Sequence, residues 1–359
     1  MARLGDICKK ASSSVAQKDL DGNEGNYPIY GASGFIKNVD FYHQEQPYIA
    51  IVKDGAGVGR VMKLPAKSSV IGTMQYIIPN DGVNVSYLAY ALEHMNLSKY
   101  YLGAAIPHIY FKDYCNETLP SHTTAEQEKI AVVLDRVVAM IVRRKQQLAK
   151  LDELVKARFV ELFGDPVKND MGWECQPLND VCDGIGDGLH GTPEYDDNGG
   201  YPFINGNNLI DGEIVITPAT KMVSEETYKK HLIEISPNAI LISINGTLGK
   251  LAFYNGEKVM LGKSACYCNL KPNVNKVFVY GVMRSDAFAE FLDSCSTKST
   301  IKNVGLKAMR EYRLILPPTE LQEQYASFVK QTDKSKLVIQ KSLDELETLK
   351  KALMQKYFG

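Results

Sequence analysis

The sequence lacks the features that mark membrane and secreted proteins. No apolar run approaches the ~18–20 residues that a membrane-spanning helix needs, so we predict that the chain is not an integral membrane protein. Met1–Asp6 has no apolar stretch after Arg3, which argues against a secretory signal peptide. We therefore expect a cytoplasmic protein.

Cysteine pairs and an excess charge are also missing. The cysteines number seven, an odd count, and no two stand in a C-x-x-C spacing. Neither a disulfide framework nor a structural zinc site is predicted. With 41 basic and 42 acidic residues the net charge is −1. Bulk charge therefore gives no sign of a polycationic nucleic-acid binder, although a neutral chain can still carry a basic face.

What the chain does contain is an internal repeat. Its 359 residues suggest about two domains at roughly 100–200 residues each. Segments of the first half recur in the second, with shifts that grow from 174 to 197 residues along the chain. The matching pairs are Leu4–Cys8 with Leu178–Cys182, Asn26–Gly31 with Gly200–Gly206, Ile49–Lys53 with Ile240–Ile244, and Leu119-Pro120 plus Glu126-Gln127 with Leu316-Pro317 plus Glu323-Gln324.

Each half begins with a globular module of mixed strand and helix. Short apolar runs bounded by Gly, Asn, Pro and Asp predict strands at Tyr48–Val52, Tyr76–Ile78 and Ala239–Ile244. Helices are predicted at Tyr87–Met95 and Gly281–Leu292. The mixture indicates α+β modules, and two β-rich sandwiches are the alternative.

Each half ends in a long helix with a heptad seam. The helices are predicted from Thr123 to about Phe163 and from Thr319 to about Tyr357. Both open with Pro followed by a capping signature. The seam residues are Ile130, Leu134, Val137, Ile141, Leu148, Leu151, Val155 and Leu162 in the first helix, and Leu321, Tyr325, Phe328, Ile339, Leu346, Leu349 and Leu353 in the second. Burying the two seams against each other predicts an antiparallel coiled coil with pseudo-two-fold modules; a homodimer interface is the alternative.

The resulting domain boundaries follow the repeat. We expect globular modules at 1–120 and 166–317, a first helical region at 121–165 and a second at 318–359. The first module is shorter than the second and lacks the aromatic lead-in seen at Trp173. We expect either that its N-terminal part is trimmed or that it borrows support from the C-terminal end of the second helix.

No catalytic motif is found. Gly55–Gly59 is not a G-x-G-x-x-G dinucleotide loop, and no G-x-S-x-G elbow or H-E-x-x-H pair occurs. Leu316–Thr319 has the double proline of an amino-methyltransferase tetrapeptide but not its flanking residues. We therefore predict no catalytic residue, no metal site and no cofactor in this chain.

Polar loops offer a different chemistry. Asp183–Pro193 leads through Tyr195 to Asn205–Asn208 and is rich in glycine and amides. Amides suit bidentate pairing with adenine, Arg and Lys suit guanine, and glycine permits close backbone approach. A tight turn explains any one of these residues as well as base contact does.

Taken together, these features resemble a specificity subunit of a type I restriction-modification system, over essentially the whole chain. The resemblance rests on Phe163–Pro166 at the end of the first helix, on Leu178–Val181 after Trp173, and on Asp187–Pro193 followed by Pro202–Asn207. Leu-Pro followed by Glu-Gln at the start of both helices is also typical.

The resemblance implies that each module is a target-recognition domain reading one half of a bipartite, asymmetric DNA site. The helices would set the spacer between the half-sites and dock two methyltransferase subunits. Those partners would carry S-adenosylmethionine and N6-methylate a flipped adenine. Restriction subunits that use ATP and magnesium would join in a nuclease. A coiled-coil scaffold without DNA readout and a single-chain enzyme with an unrecognised site are the alternatives.

The residues predicted to contact DNA lie in the loops of both modules. Arg60 and Lys250 follow matching glycine turns, so we assign them phosphate contact or guanine readout. The full set is Tyr30, Ser33, Lys53, Arg60, Gln75, His108 and Lys112 in the first module, and His190, Thr192, Tyr195, Asn205, Asn207, Asn208, Thr247, Lys250 and Lys302 in the second.

Overall fold

The computed structural model describes residues 1–101 and 107–359. They form two compact units, unit 1 with Met1–Gln147 and Ile339–Gly359, and unit 2 with Leu148–Val338. Each unit therefore combines one globular module with part of each of two long helices.

The described residues contain short strands, short helices and two helices of 40 residues. The strands are β1 (Ala2–Arg3), β2 (Cys8–Ser12), β3 (Tyr27–Gly31), β4 (Gly34–Val39), β5 (Tyr48–Val52), β6 (Val61–Leu64), β7 (Ser69–Val70), β8 (Met74–Pro79), β9 (Thr118–Leu119), β10 (Cys175–Pro177), β11 (Cys182–Asp187), β12 (Tyr201–Ile204), β13 (Leu209–Ile210), β14 (Glu213–Ile214), β15 (Met222–Val223), β16 (Ala239–Ser243), β17 (Leu251–Phe253), β18 (Met260–Leu261), β19 (Ala265–Leu270) and β20 (Arg313–Ile315). The helices are α1 (Leu4–Ile7), α2 (Val85–His94), α3 (Phe111–Tyr114), α4 (Thr124–Phe163), α5 (Glu225–Lys230), α6 (Lys276–Met283), α7 (Asp286–Cys295), α8 (Leu306–Glu311) and α9 (Thr319–Phe358). Short 3₁₀ helices cover Gln17–Leu20, Leu97–Tyr100, Leu178–Val181 and Gly206–Asn208.

The two modules share one sheet topology. Unit 1 has a four-stranded antiparallel sheet in the order β2-β8-β5-β6 and a three-stranded sheet β4-β3-β7 in which β3 and β7 run parallel. Unit 2 has the same arrangement as β11-β19-β16-β17 and β15-β12-β18, again with one parallel pair. The predicted α+β repeat is confirmed, and the alternative of two β-sandwiches is wrong.

One of the two inner strands of each four-stranded sheet is completely buried. All five residues of β5 and all five of β16 are buried. Because these strands are covered on both faces, their sequences are continuous apolar runs instead of alternating ones. This is why both strands could be predicted from sequence to within a residue.

The exact register of the repeat differs from the prediction. The Oε1 atom of Gln127 accepts the backbone N–H of Asn84 at 3.0 Å, and that of Gln322 accepts the N–H of Asn275 at 2.9 Å. Gln127 therefore matches Gln322, a shift of 195 residues, which also relates the bounds of α4 and α9. The predicted match with Gln324 is wrong by two residues. It relied on a short Leu-Pro motif, whereas these hydrogen bonds define the equivalent positions.

Within each unit the two long helices run antiparallel, as predicted. In unit 1, early residues of α4 such as Leu134 share a core with Met354 and Phe358 at the end of α9. In unit 2, late residues of α4 such as Phe159 pack on Tyr325 near the start of α9. Ion pairs join the helices as well, Lys145 to Glu347 in unit 1 at 2.9 Å and Lys336 to Asp152 in unit 2 at 2.6 Å.

The last aromatic residue of each long helix is buried in a module. The Phe163 ring at the end of α4 lies 4.8 Å from the Phe278 ring in unit 2. The Phe358 ring at the end of α9 lies 5.2 Å from the Tyr87 ring in unit 1, in the core that contains Leu4. The expectation that the first module borrows support from the second helix is confirmed.

Two local predictions are wrong. The helix expected over Gly281–Leu292 is two helices, α6 and α7, because the Ser285 hydroxyl accepts the N–H of Phe288 and starts a new helix there. Leu349, placed on the seam, is 44% exposed, whereas Leu343 and Met354 are buried. A helix of 3.6 residues per turn moves its buried face away from a strict seven-residue repeat, which is how a seam position reaches the surface.

No helix in the described ranges is long and apolar enough to cross a membrane. Among those residues no group of three or more His, Cys, Asp or Glu side chains is placed to hold a metal. The cysteines are free thiols, and burial raises the pKa of Cys8 to about 12. This thiol therefore stays protonated at neutral pH.

The buried end of α9 leads to a stability prediction. We expect Phe358→Ala to lower the free energy of unfolding by about 3–5 kcal/mol, because it leaves a cavity between α9 and the first module. Leu349→Ala, on the exposed face of the same helix, serves as the matched control and should cost less than about 1 kcal/mol. Urea unfolding of both variants, with hydrogen exchange to locate the change in unit 1, is the measurement. Equal effects of the two substitutions would contradict the prediction.

Candidate nucleic-acid interface

The predicted contact residues gather at one end of the four-stranded sheet in each unit. Because neighbouring strands are antiparallel, the C-terminal ends of β2 and β5 share this end with the N-terminal ends of β8 and β6. The same holds for β11 and β16 with β19 and β17. We call these surfaces edge 1 (residues 13–16, 30–34, 53–60, 71–74 and 107–112) and edge 2 (residues 187–192, 205–208, 243–250, 262–264 and 297–303).

The glycine turns that carry Arg60 and Lys250 match closely. In edge 1 the Gly59 N–H donates to the Val52 carbonyl at 2.8 Å, and the Val52 N–H donates to the Arg60 carbonyl at 3.0 Å. In edge 2 the equivalent bonds join Gly249 and Lys250 to Ser243 at 2.9 and 2.8 Å. Gly59 has φ of +84°, and a Cβ atom there would lie 2.5 Å from the Ser98 nitrogen. The matching positions of Arg60 and Lys250 are confirmed.

The side chains on these matching turns have different surroundings. The Arg60 guanidinium donates to the Ala32 carbonyl at 2.9 Å and so joins the β3–β4 turn, where Ser33 is exposed. The Tyr30 ring, on β3, packs edge-on against Phe35. Lys250 instead lines a cleft of about 400 Å³ whose other walls include Tyr280 and Arg284. One backbone frame therefore presents two different surfaces.

Edge 1 brings three of the predicted residues together around an aspartate. Asp54 lies 3.7 Å from the Lys53 ammonium and accepts a hydrogen bond from Nδ1 of His108. The His108 ring lies 4.1 Å from the Tyr110 ring, which also carries the Lys112 ammonium over its face at 5.2 Å. Asp54 and Tyr110 were missed by the sequence analysis, because only the folded chain brings the two segments together.

Gln75 does not belong to this surface. Its side chain is 1% exposed and donates a hydrogen bond to the Tyr114 hydroxyl in the interior of the module. β8 alternates between faces of the sheet, and the short apolar run used to place it gave no indication of which face Gln75 takes. We correct its assignment from DNA contact to core.

Edge 2 presents a histidine, a hydroxyl and an aromatic ring. Nε2 of His190 donates to the Asp187 carboxylate at 2.8 Å. Thr192 is exposed two residues later. Tyr195 follows the edge, half exposed, with its ring 6.0 Å from the buried Phe203 and with the Lys221 ammonium over its face.

The three predicted asparagines have different roles. Asn208 donates from Nδ2 to the Val215 carbonyl and accepts the Asn205 N–H through its side-chain oxygen, so it holds the turn and is reassigned to structure. The Asn205 side-chain oxygen accepts the Ser264 hydroxyl at 3.0 Å. Asn207 is the exposed member of the three.

The remaining residues of edge 2 come from the 243–250 and 297–303 segments. The Gly246 N–H donates to the Lys302 carbonyl at 2.9 Å, which places Thr247 and Lys302 side by side. The Lys302 ammonium also pairs with Asp293 at 2.6 Å. Lys263, which the sequence analysis missed, is exposed and forms no ion pair with the described residues; its N–H donates to the Leu189 carbonyl at 3.1 Å.

These edges present hydrogen-bonding groups and cations on rigid turns. Lysine and arginine suit phosphate oxygens and guanine, and amides and imidazoles suit the edges of bases. Such a surface suits a ligand that has negative charges for the cations and polar edges for the hydrogen-bonding groups. DNA has both, in its phosphates and its bases.

Comparison with known proteins agrees with this chemistry. The family model for the type I restriction modification DNA specificity domain matches residues 1–153 and 171–348. The putative type I restriction enzyme MjaX specificity subunit of Methanocaldococcus jannaschii is 27% identical over 197 residues, which span 52% of this chain and 45% of that protein. The MjaIX specificity subunit of the same organism is 23% identical over 305 residues, 78% of this chain and 69% of that protein.

The fold has a solved counterpart too. The S subunit of a type I restriction-modification system from M. genitalium superposes with a TM-score of 0.65 at 16% identity, over all of this chain and 95% of that one. The curated relatives are specificity subunits, which agrees with the prediction of a non-catalytic recognition component. With two matched domains over most of its length, the chain belongs to the type I restriction-modification DNA specificity family.

Proposed function

We propose that this chain selects the DNA sequence on which a type I restriction-modification complex acts, with edge 1 and edge 2 each reading one half of a bipartite site. The observation that carries the proposal is that the same sheet end is built twice, with different side chains on one backbone frame. Arg60 and Lys250 illustrate the difference. Because edge 1 and edge 2 carry different side chains, we expect two different half-sites and therefore an asymmetric target.

The long helices would set the distance between the half-sites and dock the catalytic partners. At 1.5 Å per residue, 40 residues extend about 60 Å. Exposed apolar side chains along α4, such as Val132, Val133 and Met140, support docking of other proteins. Because the chain is a repeat, we propose two methyltransferase subunits.

The catalytic chemistry would reside on those partners. The methyltransferase subunits would bind S-adenosylmethionine and transfer its methyl group to N6 of an adenine flipped from the duplex. Restriction subunits that use ATP and magnesium would add cleavage to the complex. Methylation takes place on chromosomal DNA, so we propose a cytoplasmic location.

The proposed function is tested by modified-base sequencing of host DNA with and without this gene. We expect N6-methyladenine to disappear from one bipartite motif when the gene is removed. If the pattern is unchanged, the chain is combined with its methyltransferase in vitro and incubated with genomic DNA. Absence of any motif-specific methylation there would contradict DNA readout and favour a scaffold.

The charge distribution predicts weak DNA binding by the isolated chain. The first module carries 11 basic and 11 acidic residues, and the second carries 15 basic and 18 acidic. Little phosphate attraction is therefore available without partners, since phosphate neutralisation supplies much of protein–DNA affinity. We expect gel shifts to show specific binding only after the methyltransferase is added. A nanomolar, sequence-specific shift by the chain alone would contradict this prediction.

Neighbouring asparagines give a matched pair of variants for edge 2. Asn207→Ala, at an exposed position, should leave the free energy of unfolding unchanged. It should reduce the preference for one base at one position of one half-site by about 1–3 kcal/mol. Asn208→Ala should instead lower stability, because it removes three hydrogen bonds that the side chain makes with Asn205, Val215 and Thr220. Methylation of a randomised site library and urea unfolding are the measurements. Relaxation in both half-sites at once would contradict the assignment of one edge to each.

The spacer role predicts the effect of lengthening the helices. Inserting one heptad after Gln147 in α4 and one after Val338 in α9 keeps the phase of the buried seam. The added length of about 10 Å should lengthen the preferred spacer by about 3 base pairs without changing either half-site. Sequencing of the methylated motif measures the spacer. An unchanged spacer in a folded, active complex would exclude the helices as its determinant.

A further inference from the structure

Each edge carries one histidine that is hydrogen-bonded to an aspartate. In edge 1 the bonded nitrogen is Nδ1 of His108, and its partner is Asp54. In edge 2 it is Nε2 of His190, and its partner is Asp187. The other ring nitrogen of each histidine makes no hydrogen bond with the described residues, and neither is a buried atom without a partner. The free nitrogens are Nε2 of His108 and Nδ1 of His190.

The aspartate determines what the free nitrogen does. A carboxylate oxygen accepts hydrogen bonds, so the ring nitrogen that faces it carries a proton, and in the neutral form of an imidazole this is the only ring proton. The opposite nitrogen then has a lone pair and accepts. Both edges therefore present an imidazole acceptor, although they do so with opposite ring nitrogens.

The side-chain pairs are not needed to hold the loops together. In edge 1, backbone bonds from Gly55 to Pro107 at 2.9 Å and from Ile109 to Lys53 at 3.0 Å already join the two segments on both sides of the pair. In edge 2, the Leu189 N–H donates to the Leu261 carbonyl at 2.8 Å. The aspartates thus act mainly on the orientation and tautomer of the imidazoles.

An acceptor recognises base groups that the neighbouring side chains cannot, because those side chains are donors. Lys53 and Lys112 stand beside His108, and Lys263 and Lys302 belong to the same edge as His190. All four are donors, suited to phosphate oxygens or to guanine O6 and N7. In the major groove, the base groups that donate are the exocyclic amines, N6 of adenine and N4 of cytosine. An imidazole acceptor complements the lysines by recognising those amines.

We infer that His108 and His190 each accept a hydrogen bond from the exocyclic amine of an adenine or cytosine in the major groove, with Asp54 and Asp187 as positioning residues. The inference rests on the proposed function and adds the chemical class of base that each edge selects. It commits both histidines to the same class, one in each half-site.

The test uses the complex of the chain with its methyltransferase and a DNA library in which every position of both half-sites is randomised. His108→Phe keeps the ring against Tyr110 but removes the acceptor. We expect it to lose about 5- to 100-fold of the preference for adenine or cytosine at one position, while the other half-site keeps its full preference. His190→Phe should do the same in the opposite half-site. Lys112→Ala is the control, and it should weaken binding to all sequences equally.

Base analogues identify the amine. Purine in place of adenine, or 2-pyrimidinone in place of cytosine, removes the exocyclic amine at the affected position. With one of the two analogues, the wild-type complex should lose as much base preference as the His108→Phe complex loses on unmodified DNA. The His108→Phe complex should lose no further preference on DNA that contains this analogue. Asp54→Asn, which permits either tautomer, should weaken the same preference partially. His108→Gln, which restores an acceptor oxygen, should recover part of it.

The outcomes separate this inference from the proposed function. If the wild-type complex selects no bipartite site, the proposed function fails. If it selects one but both Phe variants keep their base preferences, or lose affinity uniformly on all sequences, the amine inference alone is overturned. Loss of a preference for guanine in either Phe variant would also overturn it, because the imidazole of the wild-type chain would then be a donor.

Discussion

The burial of a phenylalanine at the end of each long helix is the contact on which the rest of the structure depends. A 40-residue amphipathic helix gains most of its stability from packing, not from its own hydrogen bonds. Phe163 supplies that packing in unit 2 and Phe358 supplies it in unit 1, each among aromatic side chains of a module. Each unit is therefore completed by a helix that begins in the other module. The largest hydrophobic core of each unit includes residues of both long helices.

The repeat conserves backbone hydrogen bonds while its side chains diverge. The glycine turns before β6 and β17 use the same bonds, yet one carries Arg60 and the other Lys250. The start of each long helix is tied to its module by an equivalent glutamine, Gln127 or Gln322. Since these bonds involve the backbone or a glutamine away from the edges, side chains at the sheet ends can change without loss of the frame. This separation of frame from surface is what a recognition protein with variable targets requires.

The sequence predicted features that depend on local pattern and missed those that depend on packing. The heptads predicted α4 and α9, and the apolar runs predicted β5 and β16, because periodicity and burial are directly visible in sequence. Gln75 was misplaced because the face of a strand on which a polar residue lies depends on its neighbours in space. Asn208 looked like a base reader because an amide that holds a turn and one that contacts a base have the same sequence signature. The contact residues other than Gln75 and Asn208 remain predictions.

The two carboxylate–imidazole pairs present the same chemical group although their residues are spaced differently in the sequence. Asp187 and His190 are three residues apart on one loop, whereas Asp54 and His108 come from segments 54 residues apart. The pairs also use opposite ring nitrogens, Nδ1 in His108 and Nε2 in His190. What they share is a setting of lysines, which only donate hydrogen bonds. A surface that must distinguish bases needs both donors and acceptors, and on these edges a carboxylate supplies the acceptor indirectly, by fixing a neighbouring imidazole. An aspartate facing the DNA directly would accept as well, but its charge would lie one side chain nearer to the phosphates than it does behind an imidazole.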